Sequence, residues 1–220
     1  MKTPIGLDLR GKRRLCVVYA VVAVVVVLLE FGSASRVVQP WWLDLRAVLA
    51  AFVLLAFVLP GNVSRESLGL RLTPIQPICY WVRFTVLIAA AMLVIILICT
   101  DVVHAMGLPI SIHKTPPDHV VVRLLSMCLY APLVEELIFR FAICVPATAI
   151  LGPVGAILLS GSLFAAIHFT YGNPGPDNFV AGFILAWAYL KSGSILVPMT
   201  LHALGNSVAW AAQTLAWHVV

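Results

Sequence analysis

A chain of 220 residues that is 62% hydrophobic and 10% charged, with a mean hydropathy of +1.04, has more apolar surface than one water-soluble core can bury. Soluble domains carry about 25% charged residues; that class is excluded, and one integral membrane domain over residues 1–220, all α, is expected. The net charge of +5 is gathered at Lys2, Arg10, Lys12, Arg13 and Arg14, ahead of the first apolar run. With membrane spans following, such a basic arm marks the cytoplasmic side of a bilayer rather than a nucleic-acid partner.

The first helix is expected from about Leu15 to Phe31. Gly32-Ser-Ala-Ser35 has the small residues of a signal-peptide cleavage site, but the run is long for one and the rest of the chain is polytopic, which favours an uncleaved span. Trp41 and Trp42 stand where an interfacial aromatic belt would, opening a second helix that ends near Leu59-Pro60. Residues 61–77, with Arg65, Glu66, Arg71 and two prolines, read as a loop or a surface helix. A third span follows from about Tyr80 to His104, then a proline-rich loop to Pro117.

From Asp118 the chain stays apolar to Leu151, too long for one straight span at about 1.5 Å per residue; Pro132 and Pro146 offer kinks or breaks. Gly152-Pro153 is a turn signal. The next span runs to about Tyr171, followed by a loop over 172–177, a helix from Phe179 to Lys191, a Ser-Gly-Ser turn, and a last helix from Ile195 to about Trp217. The expected fold is therefore a polytopic membrane helix bundle of seven spans, eight if the stretch after Asp118 divides, with a catalytic core over about 118–217. Cys16, Cys79, Cys99, Cys128 and Cys144 have no C-x-x-C spacing and read as packing residues.

Ionisable residues in a span cost roughly 2.5–3.5 kcal/mol each on the most lenient scale, and so point to function. Glu135, Glu136, Arg140, His168, His202 and Asn206 all lie where a lipid-facing helix would carry Leu or Val. With Gly152-Pro153 as the bend of a hairpin, Glu135 and His168 both rise roughly 24–26 Å from it and come level. From a bend near Gly193, Asn206 and His202 stand at roughly 20 and 14 Å. Residues four apart share a helix face, so Glu136 pairs with Arg140, while Glu135 is left for chemistry. Glu135 with His168 can hold and deprotonate a water, and His202 with Asn206 can donate to the oxyanion formed when that water attacks an amide.

Glu-Glu-x-x-x-Arg at 135–140, Phe-x-x-x-His at 164–168 and His-x-x-x-Asn at 202–206, in this order on consecutive membrane helices, resemble the CPBP family of intramembrane proteases, which includes the type II CAAX prenyl endopeptidases and the Abi proteins. Leu68-Gly-Leu-Arg71 is also reminiscent of such proteins. The resemblance implies a glutamate-dependent endopeptidase without a metal cofactor. In it Glu135 and His168 activate water, His202 and Asn206 form the oxyanion hole, and Glu136, Arg140 and Phe164 support the site. It implies a membrane-associated peptide or protein substrate, prenylated or carrying a C-terminal processing segment. The expected location is a prokaryotic cytoplasmic membrane with the N-terminus inside.

Two alternatives stay open. Glu135, His168 and His202 supply a ligand set for zinc with one position left for water, although no H-E-x-x-H run is present. A transporter or non-catalytic scaffold would also use intramembrane Glu and His, against which stand the small size and the absence of an inverted repeat. Seven spans from an inside N-terminus put the 172–177 loop outside; a break at Pro132 would reverse this, and eukaryotic relatives open to the cytosol.

Overall fold

The computed structural model describes residues 3–34, 40–107, 114–173 and 175–219. His113 and the side chains of Trp41, Trp42, Cys99 and His218 lie outside the described residues. Among the described residues eight α-helices follow in chain order: α1 Arg13–Ala34, α2 Pro40–Val58, α3 Ile78–Ala105, α4 Val120–Leu125, α5 Ala131–Glu136, α6 Val145–Thr170, α7 Pro176–Ser192 and α8 Leu196–Val219. Arg13–Gly32, Ile78–Ile95 and the continuous stretch Pro117–Thr170 are long and apolar enough to cross a membrane, and Leu45–Val58 is a shorter apolar helix. The protein is an all-α membrane helix bundle.

Helix ends fall within a few residues of the expected ones. The stretch from 118 to 151 does not break in two. Instead π-helical turns at Ser126–Tyr130 and Leu137–Cys144 join α4, α5 and α6, each ending just before a proline, Pro132 or Pro146. A proline lacks the N–H of the regular ladder and crowds the carbonyl four residues back; a wider turn beside it relieves both without ending the helix. The turn comes at Gly152, whose φ of 76° and ψ of 175° are open to glycine alone. Divided there, the Pro117–Thr170 stretch forms the two limbs of the expected hairpin.

The chain forms two compact units, residues 1–75 with 131–202, and residues 76–130 with 203–220. In the first, Tyr19 of α1 stacks on Phe57 of α2 with ring centroids 3.9 Å apart, and its hydroxyl donates to the Phe57 carbonyl. Phe141 packs against Phe57 as well, with ring centroids 5.2 Å apart. The limb after Gly152 crosses α7 at two glycines: a Cβ on Gly182 would sit 2.7 Å from the Gly161 carbonyl oxygen, and one on Gly161 would strike the Phe183 ring. Small residues let the two backbones approach this closely.

Residues 61–75 form a loop, the first of the two expected alternatives, and it is not a free one. Leu70 bridges to Ser194, Ile195 N–H donates to the Gly69 carbonyl, and Ile75 N–H donates to that of Ser192, so this segment is laced onto the turn between α7 and α8. Tyr189 hydroxyl donates to the Leu68 carbonyl 2.7 Å away, and its ring fills the space beside Gly69. The Leu68–Arg71 segment thus has a structural task.

In the second unit α3 exposes apolar side chains along its length, among them Val86, Leu87, Leu93 and Ile98. The end of α8 is tied to α4 and its flanks: Trp210 Nε1 donates to the Val120 carbonyl, and Thr115 N–H to that of Gln213. Trp210 is therefore a packing residue with its polar atom satisfied.

Candidate active site

Glu135 and Glu136 close α5, between the two π-helical turns, and both are buried. Adjacent helical positions point about 100° apart, so the two carboxylates take different partners. Arg140, fully buried, brings Nε to 2.9 Å from Glu136 Oε2, the expected ion pair one turn along. Its Nη1 donates to Ser160 Oγ, which in turn donates to the Phe139 carbonyl. A buried charge is tolerated only when it is paired; Arg140 has its ion pair with Glu136 and the one hydrogen bond to Ser160, while Nη2 has no hydrogen-bond partner among the described residues.

The other oxygen of Glu136 has a partner that spacing did not reveal. His202 Nδ1 lies 2.9 Å from Glu136 Oε1, so the ring donates there and turns Nε2 the opposite way. His168 Nδ1 is 2.9 Å from the Phe164 carbonyl oxygen one turn back on α6. A carbonyl only accepts, so Nδ1 carries the proton and Nε2 is again the free nitrogen. Both Nε2 atoms stand 3.9 Å from Glu135 Oε2. That oxygen is buried and has no hydrogen-bond partner among the described residues.

Phe164 holds the group together. Its ring lies under the Arg140 guanidinium at 4.6 Å, against His168 at 4.3 Å between ring centroids, and edge-on to His202 at 5.8 Å. A cation over an aromatic face is attracted by the ring quadrupole, and the two imidazoles lose their freedom to swing.

Three residues outside the motifs complete the cluster. Arg46 of α2 places Nη2 3.4 Å from Glu135 Oε1 and Nε 3.0 Å from Glu30 Oε1. Tyr171, just past α6, donates its hydroxyl to Glu30 Oε2 at 3.2 Å. Glu135 is therefore not left alone, as its motif suggested. The signal was present, since Glu30 and Arg46 are themselves charges inside apolar runs. Among the described residues, the cluster sets the carboxylates of Glu30, Glu135 and Glu136 against the guanidiniums of Arg46 and Arg140.

Of the sequence-derived site residues, Glu135, Glu136, Arg140, Phe164, His168 and His202 meet in the first unit. Asn206, one turn beyond His202 on α8, donates Nδ2 to the Met127 carbonyl at 2.7 Å within the second unit. Among the described residues no three His, Cys, Asp or Glu side chains are spaced to hold one metal ion.

Fold and cluster together define an integral membrane protein with acid–base groups gathered away from lipid. The family model described as Type II CAAX prenyl endopeptidase Rce1-like matches residues 117–208. The three motifs that carry the resemblance all lie within that stretch, which supports a membrane endopeptidase. No curated protein and no solved structure matches.

Proposed function

We propose that the protein hydrolyses a peptide bond of a membrane-associated protein with a water activated by Glu135 and His168. The observation that carries this reading is the orphaned Glu135 Oε2, buried and faced by two imidazole nitrogens at 3.9 Å. That gap is too long for a direct hydrogen bond and is one that a single water can bridge. Glu135 takes the water's proton while His168 Nε2 orients it, and the hydroxide attacks the amide carbon. His202, held on Glu136 through Nδ1, turns Nε2 toward the oxyanion. Asn206, on the same face of α8 one turn on, supplies the second donor. The C–N bond then breaks as the proton held by Glu135 passes to the leaving amine. Glu136, Arg140 and Phe164 keep both imidazoles in place.

The substrate class proposed is a prenylated or C-terminally processed membrane protein, and the membrane a prokaryotic cytoplasmic one. Lys12, Arg13 and Arg14 at the start of α1 favour an inside N-terminus, and the unbroken stretch through Pro132 favours the 172–177 loop lying outside. A cysteine placed in that loop should react with an impermeant thiol reagent in whole cells; labelling only after lysis would reverse the orientation.

The chemical test is cleavage of a quenched farnesylated CAAX-type peptide by the protein in detergent micelles. Glu135→Gln is expected to lose about 10²- to 10⁴-fold in rate while still folding and retaining the peptide. Undiminished cleavage, or an undiminished cellular phenotype, would return the protein to the scaffold or transporter class. Full activity after exhaustive chelation is the expected result. Loss restored by zinc alone would establish the metal-dependent alternative.

A further inference from the structure

We infer that Arg46, held by Glu30, is a positioning residue for Glu135: it occupies Oε1 and thereby aims Oε2 at the two imidazoles. This deepens the hydrolytic reading and rests on it. A glutamate on a helix has three side-chain torsions to settle, and a general base must have them settled before substrate arrives. Among the described residues Arg46 Nη2 is the donor that meets the Glu135 carboxylate, at 3.4 Å. The contact is longer than the about 2.7–2.9 Å of a tight charge-assisted bond. It fixes direction and supplies positive charge without sequestering the carboxylate.

The guanidinium is itself fixed. Its Nε lies 3.0 Å from Glu30 Oε1 and its centre 5.8 Å from the Tyr171 ring centroid, and both Arg46 and Glu30 are buried. Tyr171 hydroxyl closes the set on Glu30 Oε2. Tyr171 follows His168 by three residues, so one chain of polar contacts joins the end of α6, through α1 and α2, to the base on α5. Each oxygen of Glu135 then has its own task. Arg46 has no place in any of the three sequence motifs, and its α2 lies outside the stretch that matches the family model.

The experiment uses the full chain in detergent micelles and two readouts. The infrared difference between wild type and Glu135→Gln isolates the Glu135 carboxylate band. In an Arg46→Gln background the corresponding difference band is expected to move, whereas Arg65→Gln, at an exposed loop position, leaves it in place. In cleavage of the farnesylated peptide, Arg46→Gln is expected to lower kcat by about 10- to 100-fold with KM unchanged. Arg46→Lys, which keeps the charge but loses the planar fork, recovers part of the rate. Glu30→Gln lowers kcat in wild type but adds nothing once Arg46 is gone.

An unmoved band, or a rise in KM with kcat intact, overturns the inference. If Arg46→Gln does not fold, Arg46→Lys carries the test, and an unmoved band there overturns it equally. Retained cleavage by Glu135→Gln would instead sink the hydrolytic role of Glu135; the band would still report whether Arg46 orients that carboxylate.

Discussion

The Ile78–Ile95 part of α3 and the Pro117–Thr170 stretch have nearly the same hydropathy, yet 6% of the first is buried within the protein against 44% of the most apolar 18 residues of the second. The first leaves its apolar side chains on the surface of the protein; the second carries Glu135, Glu136 and Arg140 among Phe139, Phe141 and Phe164. Hydropathy alone does not separate them, because lipid and a protein interior are equally apolar solvents. What separates them is where charge is found, since a buried ion needs partners that only neighbouring helices supply. The Arg140 pair and the Glu30–Arg46–Glu135 chain are such partners.

The contrast can be broken by substitution. Arg140→Leu leaves Glu136 buried beside His202 without its counter-ion and should destabilise the protein by about 3–5 kcal/mol. Leu93→Ala on α3, at a side chain 58% exposed, should stay within about 0.5 kcal/mol. Denaturant unfolding in micelles compares the two, and equal losses would erase the distinction. Gly182→Leu tests packing without charge. Its Cβ would meet the Gly161 carbonyl, and a loss of about 1–3 kcal/mol is expected; an unchanged melting temperature would mean that the crossing is loose.

The smallest effect lies outside the apolar segments. Asp8 Oδ2 accepts the Ser64 backbone N–H at 2.7 Å, and that bond, helped by the Ser64 hydroxyl, holds its carboxyl below the ordinary range. A lowered folded pKa means stability that is fully present above about pH 4 and is lost as pH falls through the folded value. Asp8→Asn should therefore remove part of the decline in melting temperature seen on acidification below that range. A parallel decline in both proteins would show that the bond contributes nothing.

Sequence alone determined the membrane class, the helix ends and the Gly152 bend, because apolar run length and turn residues are local properties. It also determined which motif residues could come level, since rise per residue is constant. The rest was decided by tertiary structure. Helix periodicity fixes which residues share a face but not which neighbour that face meets, so Glu30, Arg46 and Tyr171 joined the cluster only when α1, α2 and the end of α6 came together. His202 on Glu136 was hidden for the same reason. The π-helical turns needed packing to favour a wide turn over a break, and the docking of residues 61–75 on the α7–α8 turn rests on backbone hydrogen bonds between segments more than 110 residues apart. Contacts of that range are set by how the faces fit.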